Sequence, residues 1–557
     1  MSTQTNDAPA ATQVGYAATR PASGVALFVQ QVRGLPANFW YANIMEMFER
    51  LAFFSVLAMR GLFVVAAVTE HGLGLNYTQK GIVFGVWAAL QCFLPMVTGG
   101  YTDRYGYRKS LAVAFTINVG GYLLMGWSWA LADALGGGGF WIFLAAACLV
   151  GTGTAIFKPP IQGTIARATN EQTSSLGWGL FYWVVNIGGF LAPMTAATLR
   201  GTTDWSYVFY FAAGATALNF LPAFLLYREP ERSAEELAAQ RDKDPLEVFV
   251  SSIATLVKDL RLLAFLLIFS CFWLMFQQLF DLLPNLIDEW VDTAPLADLV
   301  GRINPAWITA GQVKPEVIVN IDAASIVLLV IPISWLISRL NKVVAMLIGM
   351  VIALVGFFGA GTSVGWICCV MIFIFAIGEM VCSPTFSAYI GLIAPRDKKA
   401  LYMGYSQMPF AIGWALGSFI GNVSYEHYGS KATLAERYMV QHMQVAPAFA
   451  AGLPSGREFE SLVYLQHGGT LEALSQTAER AAAEKQAGQT ERAAAAWKDL
   501  FDPLSPALRR STTDLLWRSY NPQYVWYALG GIGLLGTLGM FLFYLLTPKP
   551  AAAGGGA

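Results

Sequence analysis

Glu46, Glu49, Arg50 and Arg60 fall within one apolar block of this sequence. Lys158, Asp281 and Glu379 fall in three others, and Asp322 near the start of a fifth. A charge at the centre of a membrane helix costs ~2.5–3.5 kcal/mol even on the mild insertion scale. Each of these side chains must therefore face a polar cavity or the interior of a helix bundle. At ~100° per residue, Glu46, Glu49, Arg50, Phe53 and Arg60 share one helical face. Two acids and two bases on one stripe can run a proton switch. Protonating a carboxylate weakens its ion pair, frees the partner and biases a conformational equilibrium. An ion-pair network that only fixes packing is the plainer alternative. His71, His427, His442 and His467 all lie outside the apolar blocks, so carboxylates rather than imidazoles would carry the protons.

The elements that hold these charges follow from composition. Hydrophobic residues make up 55% of the 557 and charged residues 13%, too few charges to solvate a globule of this size. Apolar runs of ~18 or more residues read as membrane helices. About twelve are expected: near 39–68, 79–100, 110–131, 140–166, 175–198 and 205–227, then 262–287, 320–339, 343–362, 365–393, 401–424 and 523–546. The expected organisation is a tail over 1–38, a six-helix bundle over 39–228, a polar linker over 229–261, a second bundle over 262–546 and a tail over 547–557. The second bundle carries an insertion over 425–521, rich in helix formers and expected to hold two or three helices on the outer side. The tail over 1–38 lacks an apolar core with a cleavage site, so the first block is expected to stay as the first span. Lys and Arg concentrate in alternate short loops, such as Arg104, Arg108, Lys109, Arg228 and Lys342. By the positive-inside rule those loops and both termini are cytoplasmic, in the inner membrane of a bacterium.

Other function classes find little support. A net charge of −1 without a basic stripe gives no nucleic-acid surface. Cys92, Cys148, Cys271, Cys368, Cys369 and Cys382 lie in apolar blocks without metal-ligand or disulfide spacing. No phosphate-binding loop, zinc-protease motif or nucleophile elbow is present, so no enzyme, metal or cofactor is expected beyond a proton gradient. The glycines of spans four and eleven (Gly151, Gly153, Gly163; Gly413, Gly417, Gly421) recur at a spacing that lets helices approach closely.

Six plus six helices around a linker resemble the major facilitator architecture. GGYTDRYGYRK, Gly99 to Lys109, resembles that superfamily's loop signature, in which Asp103 and Arg104 would form a gating pair. Within it, Glu46-x-x-Glu49-Arg50 resembles the ExxER signature of the proton-dependent oligopeptide transporter family. GTGTAIFKPP, FYWVVNIGGFLAP, FWLMFQQ and GEMVCSP follow in that family's order. The resemblance implies proton coupling by Glu46, Glu49 and Arg50 with Lys158. It implies that Arg50 and Lys158 face a substrate carboxylate, that Glu379 faces its ammonium and that Asn186 bonds its backbone. Gln277 and Phe53 are expected to complete the substrate site, and Trp87 could line it, with packing the plainer reading for Trp87. The partners implied are protons, the bilayer and a small peptide-like solute. Departures are also visible: Gln277 stands where the family has an acid, with Asp281 one turn on, and Phe53-Phe54 replace two tyrosines. Cys92 stands where a tyrosine is frequent, and the family's span-eight asparagine has only Asn320 and Asp322 nearby. An altered peptide-reading shell leaves a non-peptide amphoteric or anionic solute as the alternative. A membrane sensor or scaffold is the reading from another class.

Overall fold

The computed structural model describes residues 24–169, 173–229, 256–337, 340–393, 405–454, 456–487 and 489–546, with 247, 250 and 254. Most of the expected linker, both far tails and the basic stretch Arg396 to Lys399 lie outside the described residues. The first half holds spans one to six: Ala37–Val65, Tyr77–Tyr105, Tyr107–Ala134, Gly139–Ala168, Ser174–Thr202 and Trp205–Leu218. A π-helical turn, Pro222–Leu226, extends the sixth. The second half holds spans seven to twelve: Leu260–Asp281, Ile321–Ile337, Lys342–Ala360, Gly365–Ile393, Met408–Tyr428 and Gln523–Leu546. Leu283–Trp290 continues span seven and Pro315–Val319 leads into span eight.

Among the described residues, ten helices are long and apolar enough to cross a bilayer by length and composition. Spans one and eleven fall short of that measure. Span one carries Glu46, Glu49, Arg50 and Arg60, all buried, so it is polar because it faces inward. Span eleven is rich in glycine and lies against spans two and seven. A Cβ placed on Gly81 of span two would lie 2.9 Å from the Asn422 Cβ, and one on Gly413 would lie 2.7 Å from the Trp273 side chain. Side chains larger than hydrogen would push these helices apart. Local sequence sets the helix ends. Asn76 and Gln79 form a reciprocal cap at the start of span two, with N–H···O distances of 2.8 and 3.2 Å. Gly106 takes φ +101° at the two-to-three turn, a conformation that favours glycine.

The insertion differs from expectation. It holds six helices rather than two or three, from Lys431–His442 to Pro506–Tyr520. Gly and Pro divide its sequence more finely than its helix propensity suggests. Leu434, Leu462, Leu474, Trp497 and Leu516 are buried, in one apolar cluster continuous with the core of the second half. The stretch between spans seven and eight adds a short helix, Ala294–Ile303, and a two-residue hairpin pairing Ile308–Thr309 with Gln312–Val313.

One acid inside the insertion titrates near neutrality. Burial pushes Glu458 up to about 7, although the Glu458 and Gly456 N–H groups pull the other way. A folded-state pKa above the free value of 4.5 means the folded insertion binds the extra proton. Stability is then fullest below the free pKa and declines as pH rises through about 7. Glu458→Gln should remove on the order of 2 kcal/mol of this pH dependence between about pH 5 and 8. Thermal unfolding across that range measures it, and equal slopes for both proteins would contradict it.

Candidate functional site

Span one delivers the first cluster. Arg50 Nε lies 3.0 Å from Glu46 Oε1, and its Nη2 pairs with Glu49. Thr154 of span four donates to Glu49 Oε1 at 3.4 Å. The rings of Phe53 and Phe54 stand 5.2 and 5.9 Å from the guanidinium. Lys158, partly buried on span four, makes none of the described ion pairs, although its charge reaches Glu46. The expected network is thus closed by Arg50, with Lys158 held in reserve. Asn186 donates its amide to the Tyr182 carbonyl on its own helix at 2.8 Å.

The second cluster is acidic. Glu379 of span ten and Asp322 of span eight are buried and near enough for their charges to interact. Glu379 Oε2 and Asp322 Oδ1 have no hydrogen-bond partner, and neither residue is in a described ion pair. Tyr182 of span five, from the other half, packs with Ile326, Ala376 and Met380 beside them. Sequence reasoning quoted Tyr182 only within a motif and placed Asp322 only near a helix start.

Three of the expected substrate residues are buried in this structure. Trp87 is 0% exposed and supports Arg60, whose guanidinium stands 4.2 Å from the Trp87 ring and 4.1 Å from Phe84. Phe53 is buried against Trp87 with centroids 6.1 Å apart. Gln277 is buried, and its amide points to Ser418 of span eleven at 3.4 Å. In this conformation Trp87 and Phe53 pack on one another and Gln277 bonds to span eleven. Arg104 is exposed at the end of span two and makes no described ion pair, while the Asp103 side chain lies outside the described residues. At the next turn, Glu229 accepts from the N–H groups of Tyr107 and Arg108 at 2.6 and 2.9 Å. It supplies negative charge at the positive start of span three.

The third cluster joins the halves, and the sequence concealed it. Lys80, in the first turn of span two, is 0% exposed. Its Nζ lies 3.2 Å from Asp281 Oδ1 and donates to the Asp281 carbonyl and Asn285 Oδ1, both at 2.7 Å. Asn285 donates onward to the Gly61 carbonyl at 3.2 Å. A cation at a helix N-terminus opposes the helix dipole, which was the available signal. Nearby, Arg200 pairs with Glu316 at 2.6 Å and Lys314 donates to the Ala197 carbonyl at 2.8 Å. Burial first, then Arg200, pulls Lys314 down to about 8, with Glu316 opposing. Arg457 of the insertion reaches across to Thr69 at 2.6 Å. These bonds between the halves lie toward the insertion face.

The sequence matches the model of the Major Facilitator Superfamily over residues 51–290 and 316–439. It is 28% identical over 187 residues to a peptide transporter, YePEPT, of Yersinia enterocolitica, covering 33% of this chain and 34% of that protein. It is 22% identical over 383 residues to the multidrug resistance protein MdtH of Yersinia enterocolitica, covering 67% of this chain and 85% of that one. The match thus spans about a third of the peptide transporter's length and most of the multidrug protein's. The fold is similar to a POT family transporter solved with 5-aminolevulinic acid, with TM-score 0.57 and 16% identity over 72% of this chain and 94% of that one. It is also similar to the nucleoside transporter NupG, with TM-score 0.57 and 13% identity over 91% of this chain and 99% of that one. These family members and relatives are transporters rather than enzymes.

Proposed function

This chain belongs to the Major Facilitator Superfamily, and on that premise we propose that it is a proton-coupled symporter of peptides or peptide-like zwitterions. It works by alternating access in the inner membrane, with the insertion outside and both termini in the cytoplasm. One observation carries the reading: a buried Arg50 clamped between Glu46 and Glu49 in one half, and in the other an acidic pair with no cation paired to it among the described residues. A zwitterion fits the two clusters together. Its carboxylate draws Arg50 away from Glu46 and Glu49 toward Lys158, and its ammonium settles on Glu379 and Asp322. Protonation of Glu46 or Glu49 releases Arg50 to make that contact, which links proton to substrate. Asn186 and Tyr182 lie beside the substrate's middle. Latched on the insertion face, the structure corresponds to the state closed to the outside. No cofactor is needed, because the proton gradient supplies the work.

Uptake of a di- and tripeptide library into liposomes, with and without an inward proton gradient, tests the proposal. Stimulation of at least one zwitterionic solute is expected, with the gradient effect lost in Glu49→Gln and Lys158→Ala. No stimulated solute with folded protein, or full coupling in both variants, would overturn it. The long match to the multidrug protein, with Phe53 and Phe54 in place of hydroxyl-bearing rings, favours a second reading: a non-peptide amphoteric solute. A zwitterion that is not a peptide, stimulated where peptides are not, would select it.

A further inference from the structure

A cavity of 980 Å³ opens at the face opposite the insertion, remote from the three clusters above. It lies among the ends of spans one, three, four and six, and Arg108, Arg167 and Arg228 all line it. No carboxylate lines it among the described residues. Glu229, next in the chain, directs its carboxylate at the N–H groups of Tyr107 and Arg108.

The site is built rather than incidental. Asn38 fixes the Arg228 backbone by a reciprocal pair of bonds, 2.8 Å to its carbonyl and 3.1 Å from its N–H. Arg108 donates to the Phe224 carbonyl, with its guanidinium 5.2 Å from the Phe224 ring. Thr164 and Tyr227 share a hydrogen bond of 2.6 Å on the inner wall. Three guanidiniums at one cavity, each a planar multi-donor, suit a phosphate.

The rim narrows the choice of phosphate. Phe224, Leu225 and Leu226 line the same cavity and are 47%, 75% and 49% exposed. A soluble anion gains nothing from them, whereas acyl chains do. Basic pockets between membrane helices at the cytoplasmic surface take anionic head groups. We propose that this cavity binds the head group of an anionic phospholipid, with its acyl chains along the π-helical turn Pro222–Leu226. On the proposed topology the lipid comes from the cytoplasmic leaflet. The lipid ties together four span ends of the first half.

The full-length protein in detergent is titrated with phosphatidylglycerol, phosphatidylcholine or inorganic phosphate, reading the thermal midpoint and lipid adducts by native mass spectrometry. Phosphatidylglycerol should bind saturably and raise the midpoint, while phosphatidylcholine and phosphate should not. Arg228→Gln should weaken binding by about fivefold and Arg167→Gln/Arg228→Gln by roughly twentyfold, while Arg167→Lys/Arg228→Lys stays near the parent. Where the double glutamine variant does not fold, Arg228→Gln alone decides. Equal binding of phosphatidylcholine, unchanged affinity in Arg228→Gln, or an equal shift by inorganic phosphate would each overturn the proposal.

Discussion

Lys80→Met should open the insertion face, weakening the closed arrangement by ~3–5 kcal/mol. The Lys80 and Asp281 side chains are both 0% exposed, so no water can replace the lost ammonium. Removing it leaves Asp281 buried, with only the more distant charge of Arg60 to offset it. Breaking one partner of a buried pair is costly for that reason, whereas replacing both with apolar groups can be nearly neutral. Lys80→Met/Asp281→Leu should therefore recover most of the closed population. Accessibility of a cysteine placed at Gly61, next to Asn285 and Lys80, reports the opening through its labelling rate by a membrane-impermeant thiol reagent, in a background lacking the six native cysteines. Faster labelling in Lys80→Met and slower labelling in the double variant is the expected pattern. No change in Lys80→Met would show that the pair does not hold the faces together.

This latch shows what a sequence hides. The Glu46, Glu49, Arg50 face was legible because helical spacing alone aligns charges on one helix. Glu379 was legible because a lone acid in an apolar run stands out. The Lys80–Asp281 pair joins residues 201 positions apart. Beyond its place at a helix start, nothing local distinguishes Lys80 from a basic residue at a membrane boundary. The same holds for Arg457 reaching Thr69, which requires knowing that the insertion folds back over the first half. Most span boundaries were readable to within a few residues, since hydrocarbon thickness fixes them, whereas the helix of span eleven starts at Met408 rather than near 401. The internal breaks of the insertion were not, because no bilayer constrains its helix lengths. Trp87 was legible only in part, for a related reason. An aromatic residue on a cavity-forming helix has two faces, and only packing decides that its ring meets Arg60.

Asp322→Asn should raise the KM for a zwitterionic solute by about 30-fold or more and leave its deaminated analogue unaffected. The argument rests on charge balance. Arg50 already has Glu46 and Glu49, whereas Glu379 and Asp322 share no described cation and leave Oε2 and Oδ1 without partners. A buried acid pair without a counter-charge is unfavourable, and the substrate's ammonium removes that deficit on binding. Truncating one partner of such a desolvated contact costs ~2–5 kcal/mol, which gives the factor stated. Glu379→Gln should act in the same direction. The double variant should be worse than either single by less than the product of their effects, because both residues hold one ammonium. Tyr182→Phe separates the hydroxyl from the charge, since it removes a hydroxyl beside the acids without altering their charge. Initial rates over a range of substrate concentrations separate KM from kcat. An Asp322→Asn protein with unchanged KM, or one that loses the analogue equally, would take Asp322 out of the substrate site and leave Glu379 to act alone.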